Sequence, residues 1–454
     1  MKALFCNAPW WGEQNWQEFK DWNTGELKRE YRYYQGVRAG SRWPYLYLGQ
    51  SSPDNFVYKD YIPFPYFMAY AASYAKRHTS CKIILRDSIA RKESYESYLS
   101  YLKKELFDYI FFESSTPSFE HDKTLIKKIR KISPKSKIII TGPVSVRGEE
   151  IIKELDIYAV IKGEYEKGSV KVLKGESGVI EYDLLSEEEM NNAPFPLFEK
   201  DVLYNYYNNR PLGQIFPHAH VWASRGCPFK CIFCVWPATM SGDDPDGTKI
   251  RKVRYYNKEY MEKYVDYLVN DLKFKSLWFD DDTFNLGDRH TKEMCEVLAK
   301  YDIAWSAMCR ADTIKMETWD IMKKSGCFGV SLGFESGSQF VVDKIVNKHL
   351  DLKYAKKVIK HIKNLGMSIH GSFTFGLPGE SYEQMRMTMR FIEEAEFDSY
   401  QTSGCAEMDG TPLSTLSQKG ELKNFEEAKI DENYNRETDG NRKWQRVVEQ
   451  LQES

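Results

Sequence analysis

Strand-length apolar runs alternate with helical patterns in two separate series, and this alternation constrains the fold more than any other feature. In the first series the runs lie at 3–6, 82–85, 109–112, 137–140 and 158–161, with helical patterns at about 66–77, 94–106, 119–132 and 147–155. Ser133-Pro134 stops the third helix, because the residue before a proline is driven out of the α region. Strands that alternate with helices need crossover connections and so form a parallel sheet. The expectation for residues 1–165 is therefore a doubly wound, Rossmann-like α/β domain with its ligand at the carboxyl ends of the strands. The second series has six strand candidates, at 219–224, 276–280, 303–308, 328–334, 367–375 and 398–403. Helices between them carry apolar faces such as Met261, Tyr264, Val265, Leu268 and Leu272, or Ala355, Val358, Ile359 and Ile362. Six βα units are too few for a closed eightfold barrel and suit an open (β/α)6 partial TIM barrel, expected at 216–415.

Three stretches stand outside this alternation. Residues 10–64 separate the first strand from the first helix and hold Trp10, Trp11, Trp16, Trp22, Trp43 and seven tyrosines. Loops beyond about 12–15 residues are uncommon unless functional or disordered, and the aromatic content points to an ordered lid over the ligand face. Residues 166–215 read as a connector, with a hairpin-like piece at 168–182, an acidic stretch at 186–189, and Pro194 and Pro196. Residues 416–454 read as a charged tail ending in a short amphipathic helix with Trp444, Val447, Val448 and Leu451.

Charge and length exclude several classes. With 66 acids, 64 bases and a net charge of −2, the chain lacks the basic surplus of a non-specific nucleic-acid binder. No apolar run approaches the roughly 20 residues that span a bilayer, so no membrane insertion is expected. The start, MKALFCNAP, is too short in its apolar part for a signal peptide. The expectation is a soluble, cytoplasmic protein.

Six of the nine cysteines are scattered (Cys6, Cys81, Cys295, Cys309, Cys327 and Cys405), as buried small hydrophobes commonly are. The other three, Cys227, Cys231 and Cys234, are packed as C-x3-C-x2-C in SRGCPFKCIFCVWP. An odd count without an export signal does not point to disulfides. Such spacing lets one loop wrap three thiolates around an iron–sulfur cluster and leave one iron without a protein ligand. A structural zinc site is the alternative, but it requires a fourth ligand and a closed tetrahedral shell. His218 and His220 sit at the start of the preceding strand, away from the loop. The loop itself leaves the first strand of the barrel-like half, at its catalytic end.

These residues resemble the signature of the radical S-adenosylmethionine (SAM) enzymes, including the aromatic Phe233 before the last cysteine. The resemblance implies a [4Fe–4S] cluster whose open iron binds SAM, and one-electron cleavage of SAM to a 5′-deoxyadenosyl radical. It continues in order along the chain. WFDDDTFN (278–285) falls where the family contacts the SAM amino group, with Asp281 and Asp282 as candidates. In WSAMCRAD, Arg310 is the candidate for the SAM carboxylate. LGFESGS (332–338) offers Glu335 to the ribose hydroxyls, and TFGLPGE (374–380) brings Gly376 to the adenine. Singly, each of these motifs also reads as a solvated loop, a helix cap or a turn.

The first domain resembles the cobalamin-binding domain that precedes the barrel in one subclass of that family. The matching pieces are RAGSRWPY (38–45), FESSTPS (112–118), TGP (141–143) and GEYE (163–166). The resemblance implies cobalamin contacts from Ser114, Ser115 and Thr116, from Gly142 and Pro143, and from Gly163 and Glu164. Where many such domains carry D-x-H-x-x-G, with the histidine ligating cobalt, this chain has Asp87-Ser88-Ile89-Ala90-Arg91-Lys92. No histidine nearby takes its place: His78 precedes the strand, and His121, the other candidate, falls in the helical pattern at 119–132. The implied function is methylation of an unactivated carbon of a small-molecule or natural-product substrate, with an external flavodoxin- or ferredoxin-like one-electron reductant. A cobalamin-dependent radical SAM cyclase or oxidoreductase without methyl transfer is one alternative. A non-catalytic cobalamin or SAM sensor with structural zinc is another.

Overall fold

The computed structural model describes residues 1–9, 62–91, 93–206, 215–242, 244–422 and 452, with the backbone of four short strands between residues 16 and 60. The chain divides into two units, Met1–Leu185 with Ala193–Asn209, and Ser186–Asn192 with Arg210–Ser454.

In the first unit six strands form one parallel sheet: Lys2–Asn7, Lys82–Asp87, Tyr109–Glu113, Lys137–Thr141, Ala159–Ile161 and Gly178–Ile180. Numbered along the chain, their spatial order is 6-5-4-3-1-2. Both faces of a sheet wound in this way are covered, which is why its strands are continuous apolar runs rather than alternating ones. Leu4, Ile110, Phe112, Ile138 and Ile140 share one core with Tyr98 and Leu102 of helix Tyr95–Glu105 and with Leu125, Ile126 and Ile129 of helix Phe119–Ile132. Out of phase with these residues, Phe5 stacks on Phe111 with ring centroids 4.2 Å apart. Helix Tyr95–Glu105 starts where Ser94 accepts the Ser97 N–H, and helix Phe119–Ile132 ends at Ser133, before Pro134. Order reverses between the first and third strands, so the crevice outside their carboxyl ends is the topological switch point.

The hairpin-like piece expected at 168–182 is instead a crossover. Helix Glu166–Leu173 leads into strand Gly178–Ile180, which pairs parallel to Ala159–Ile161. Gly168 is the reason the helix lies so close to the sheet, since a Cβ there would fall 2.4 Å from Ile161 Cγ2. The later part of the expected connector returns to the same unit, with Leu197 N donating to Ala69 O and Asn205 Nδ2 to Ala90 O.

The second unit holds a parallel sheet whose six strands lie side by side in chain order: His218–Val221, Ser276–Phe279, Ala304–Cys309, Cys327–Glu335, Ser368–Phe375 and Ser399–Gly404. Among the described residues the first and last strands do not pair with one another, so the barrel is open. The connecting helices bury the faces read from the sequence, including Met261, Tyr264, Val265 and Leu268, and Ala355, Val358, Ile359 and Ile362. Leu272 is only partly buried, at the end of a π-helical turn, Tyr267–Asp271. Asn257, Asp351 and Ser381 cap three of the helices, the last in a reciprocal capping box with Gln384.

Most of the lid expected at 10–64 lies outside the described residues. Within it, Trp16–Lys20 pairs antiparallel with Leu27–Tyr31, and Leu46–Tyr47 with Lys59–Asp60. Of the expected tail, the described part is 416–422 and Gln452; its amphipathic helix falls on residues outside the description. No helix among the described residues is long and apolar enough to cross a membrane.

Candidate active site

The cysteine loop begins at Gly226, where φ is +94° and a Cβ would stand 2.7 Å from Lys252 O. No side chain fits there without moving backbone. The three cysteines are unbridged and partly exposed. Phe233 and Cys231 pack on an apolar cluster of Phe340, Val341, Ile345, Val346 and Leu377, which Cys405 also touches. Burial pushes the Cys227 thiol up to about 11, with help from Asp282 and Cys231. Burial likewise raises Cys234, and the charges of Cys231, Asp282 and Cys227 add to it. Cys231 is raised by burial and Glu335, against the opposing pull of Lys348, Arg310 and Arg251.

This environment suits a metal cluster. The three thiols are close enough to repel one another as thiolates, and buried cations stand by to offset the charge that metal binding would fix there. Among the described residues no three His, Cys, Asp or Glu side chains already close on a single ion. His218 and His220 bond to each other, Nε2 to Nε2 at 3.1 Å, at the start of the first barrel strand.

The two candidate acids after the second barrel strand have different roles. Asp281 is fully buried and accepts bonds from Ala223 N (3.1 Å), Ser224 N (2.6 Å) and Ser224 Oγ (2.6 Å). It ties the chain leaving the first strand to the end of the second. Burial raises its pKa to about 7 despite those bonds. Asp282, partly exposed, is the acid whose charge acts on Cys227 and Cys234.

Arg310 is buried and held by both oxygens of Asp312, at 2.5 and 3.0 Å, while Nη2 also donates to Lys348 O at 2.7 Å. Its guanidinium lies 3.6 Å from the ring centroid of Phe229, inside the cysteine loop. Glu335 sits at a register shift in the fourth barrel strand with φ +68°. One of its oxygens accepts from Lys348 Nζ at 2.9 Å and the other from Thr374 Oγ1 at 3.0 Å. Gly376 follows the fifth strand with φ +71°, and its N–H donates to Glu380 at 3.0 Å. Burial raises Glu380 to about 6. Asp312 and Thr374 lie within the motifs WSAMCRAD and TFGLPGE, but nothing in the local sequence marks them as partners of Arg310 and Glu335, and Lys348 lies outside every motif.

In the first unit the named residues gather at the carboxyl ends of the third, fourth and fifth strands. Ser114 Oγ donates to Asp122 at 2.7 Å, and Ser115 forms a capping box with Ser118 at the start of the turn containing Thr116. Gly142 (φ +98°) and Pro143 open a 3-10 turn after the fourth strand. Gly163 (φ +77°) and the buried Glu164 follow the fifth. Ile89, which stands where many cobalamin-binding domains carry a histidine, is buried. Asp87 closes that turn on Ile89 N and Ala90 N, and Glu199 binds Arg91 at 3.0 and 2.6 Å. His121, exposed, bonds to Tyr95 at 2.7 Å.

Residues 223–392 match the radical SAM superfamily model. An uncharacterized methyltransferase of Pyrococcus horikoshii is 26% identical over 77% of this chain and 77% of its own length. The cytidylyl-2-hydroxyethylphosphonate methyltransferase of Streptomyces wedmorensis is 26% identical over 50% of this chain, which covers only 43% of that protein. The fold is shared with TsrM, a radical S-adenosylmethionine methyltransferase from Kitasatospora setae solved with cobalamin and a [4Fe–4S] cluster. That likeness has a TM-score of 0.62 at 13% identity and covers 78% of this chain and 75% of that one. Residues 223–392, with the cysteine loop near their start, thus form a radical SAM domain, which implies SAM and a [4Fe–4S] cluster as its cofactors.

Proposed function

We propose that this protein is a cobalamin-dependent radical SAM enzyme that methylates an unactivated carbon of a small molecule. The observation that carries the reading is the cysteine loop, with three unbridged thiols at the carboxyl end of the first barrel strand and the charges of Lys348 and Arg310 acting on Cys231. When bound, the cluster supplies the electron that cleaves SAM to a deoxyadenosyl radical, and cobalamin supplies the methyl group that the substrate carbon receives. Cys227, Cys231 and Cys234 hold the cluster as thiolates. Arg310, fixed by Asp312, presents a buried positive charge for the SAM carboxylate, and Asp282 a negative one for its amino group. Glu335, oriented by Lys348 and Thr374, keeps acceptor capacity for the ribose hydroxyls. Gly376 lets the adenine approach the backbone.

Cobalamin belongs to the first unit, at the strand ends that carry Ser114, Ser115, Thr116, Gly142, Pro143, Gly163 and Glu164, with no cobalt ligand from Ile89. The methyltransferase relatives and the bound cofactors of TsrM support this part of the reading. A flavodoxin- or ferredoxin-like donor supplies the electron, and the protein works in the cytoplasm, where thiols stay reduced.

Anaerobic reconstitution followed by incubation with methyl-labelled SAM and candidate small molecules tests the reading. The expected outcome is about four irons and four sulfides per chain, with labelled product and deoxyadenosine formed together. The Cys231→Ala variant is expected to lose both the brown absorbance and SAM cleavage. Deoxyadenosine without methylcobalamin turnover would favour a cyclase or oxidoreductase, and zinc in place of iron would overturn the enzyme reading.

A further inference from the structure

The segment after the π-helical turn Val341–Ile345 holds the cysteine loop at three consecutive positions. Val346 O accepts from Ile232 N at 2.9 Å, and Asn347 Nδ2 donates to Lys230 O at 3.1 Å. Lys348 O accepts from Arg310, which covers Phe229. The contacts fall on residues 229, 230 and 232, on either side of Cys231.

Positions 346 and 348 act through backbone carbonyls, so their contacts survive most substitutions. Position 347 acts through its side chain, and that side chain is oriented from behind. Asn347 Oδ1 accepts from His349 Nε2 at 2.6 Å, which turns the amide nitrogen toward Lys230 O. His349 is in turn placed near Asp343, Nδ1 to Oδ1 at 3.9 Å. Asn347 and His349 both have left-handed backbone, with φ of +60° and +56°. Asparagine adopts that conformation more readily than most other residues, and its amide brings an N–H donor that glycine and aspartate side chains lack.

We propose that Asn347 is a positioning residue for the iron–sulfur cluster: it pins the Lys230 carbonyl, and so sets the approach of Cys231 before metal arrives. The inference rests on the reading that the three cysteines hold a cluster. It assigns to Asn347 no contact with substrate or SAM. What it fixes is the rigidity of one ligand.

The test uses the full-length protein, reconstituted anaerobically, as wild type and as Asn347→Gly and Asn347→Asp. Glycine keeps the left-handed backbone and loses the side chain. Aspartate keeps the acceptor for His349 but sets an oxygen against Lys230 O. Three readouts are taken: iron loss to a ferrous chelator, the electron paramagnetic resonance spectrum of the dithionite-reduced cluster, and thermal unfolding of the metal-free protein. Both variants are expected to release iron several-fold faster and to give a broadened or heterogeneous spectrum, while metal-free unfolding stays cooperative and its midpoint falls by only about 2–4 °C, the loss of one hydrogen bond. Wild-type iron retention and spectrum in Asn347→Gly would overturn the inference while leaving the cluster reading intact. Failure of the wild type to take up iron would overturn both.

Discussion

Asp87 and Asp281 occupy similar places in the two sheets, at or just beyond the end of a second strand, and each spends its carboxylate on backbone N–H groups. Asp87 accepts from Ile89 and Ala90, and Asp281 from Ala223 and Ser224. Burial dominates all the same: Asp87, pressed further by Glu199, is raised from 3.8 to about 7. Over that interval the folded protein holds a proton at Asp87 that the unfolded chain has released. Stability from this group is therefore lost as pH rises from about 4 to about 7. Asn is close in shape and cannot ionise. Urea unfolding at the two ends of the interval is expected to show the wild type losing stability relative to Asp87→Asn as pH rises. Parallel pH profiles for the two proteins would refute it.

At the scale of elements, the contact between helix Glu166–Leu173 and strand Ala159–Ile161 depends on the missing side chain of Gly168. Gly168→Ala forces a methyl group onto Ile161 and is expected to cost about 1–3 kcal/mol by overpacking, read as a lowered urea midpoint. The same crossover shows where the sequence stops being legible. Most strands of the two sheets are apolar runs, buried along most of their length, so their positions are written locally; the polar and largely exposed Ser399–Gly404 is the exception in the second sheet, yet it too lies within one residue of the bounds expected from the sequence. Gly178–Ile180 is three residues long, with Gly175 just ahead of it, and by itself resembles a turn. Only pairing with Ala159–Ile161 makes it a strand. The site divides in the same way. Three cysteines on one loop are visible because their ligand geometry is local. The different roles of Asp281 and Asp282 are not, since adjacent acids acquire them from which neighbours the fold brings to each. Lys348 and Asn347 owe their roles to a left-handed turn that tertiary contacts impose.

For the whole molecule, the groups named for the radical SAM site come from successive strand ends of one sheet: the cysteine loop after the first strand, Asp282 after the second, Arg310 after the third, Glu335 at the end of the fourth and Gly376 after the fifth. Occupancy should therefore tighten that edge as a set. Hydrogen exchange of cluster-loaded protein is expected to slow on adding SAM in peptides covering 226–234, 281–285, 310–312 and 346–350, with little change in the strands of the first sheet. At a hundredfold excess over Kd, linkage adds about 2.7 kcal/mol to the bound unit. Unchanged exchange at those four segments would contradict the assignment. Strand order has a separate consequence for how the chain is made. In the second sheet each new strand bonds to the one synthesised just before it, so the sheet can grow by accretion. The first sheet cannot, because Lys2–Asn7 lies between Lys82–Asp87 and Tyr109–Glu113. Leu4 and Phe5 are synthesised before either neighbour and find their first partner only in Lys82–Asp87, a long closure that is slow and open to aggregation. Protection during synthesis is thus needed at Lys2–Asn7, an apolar strand made long before its partners, more than at the cysteine loop, whose own strand pairs with the next one made.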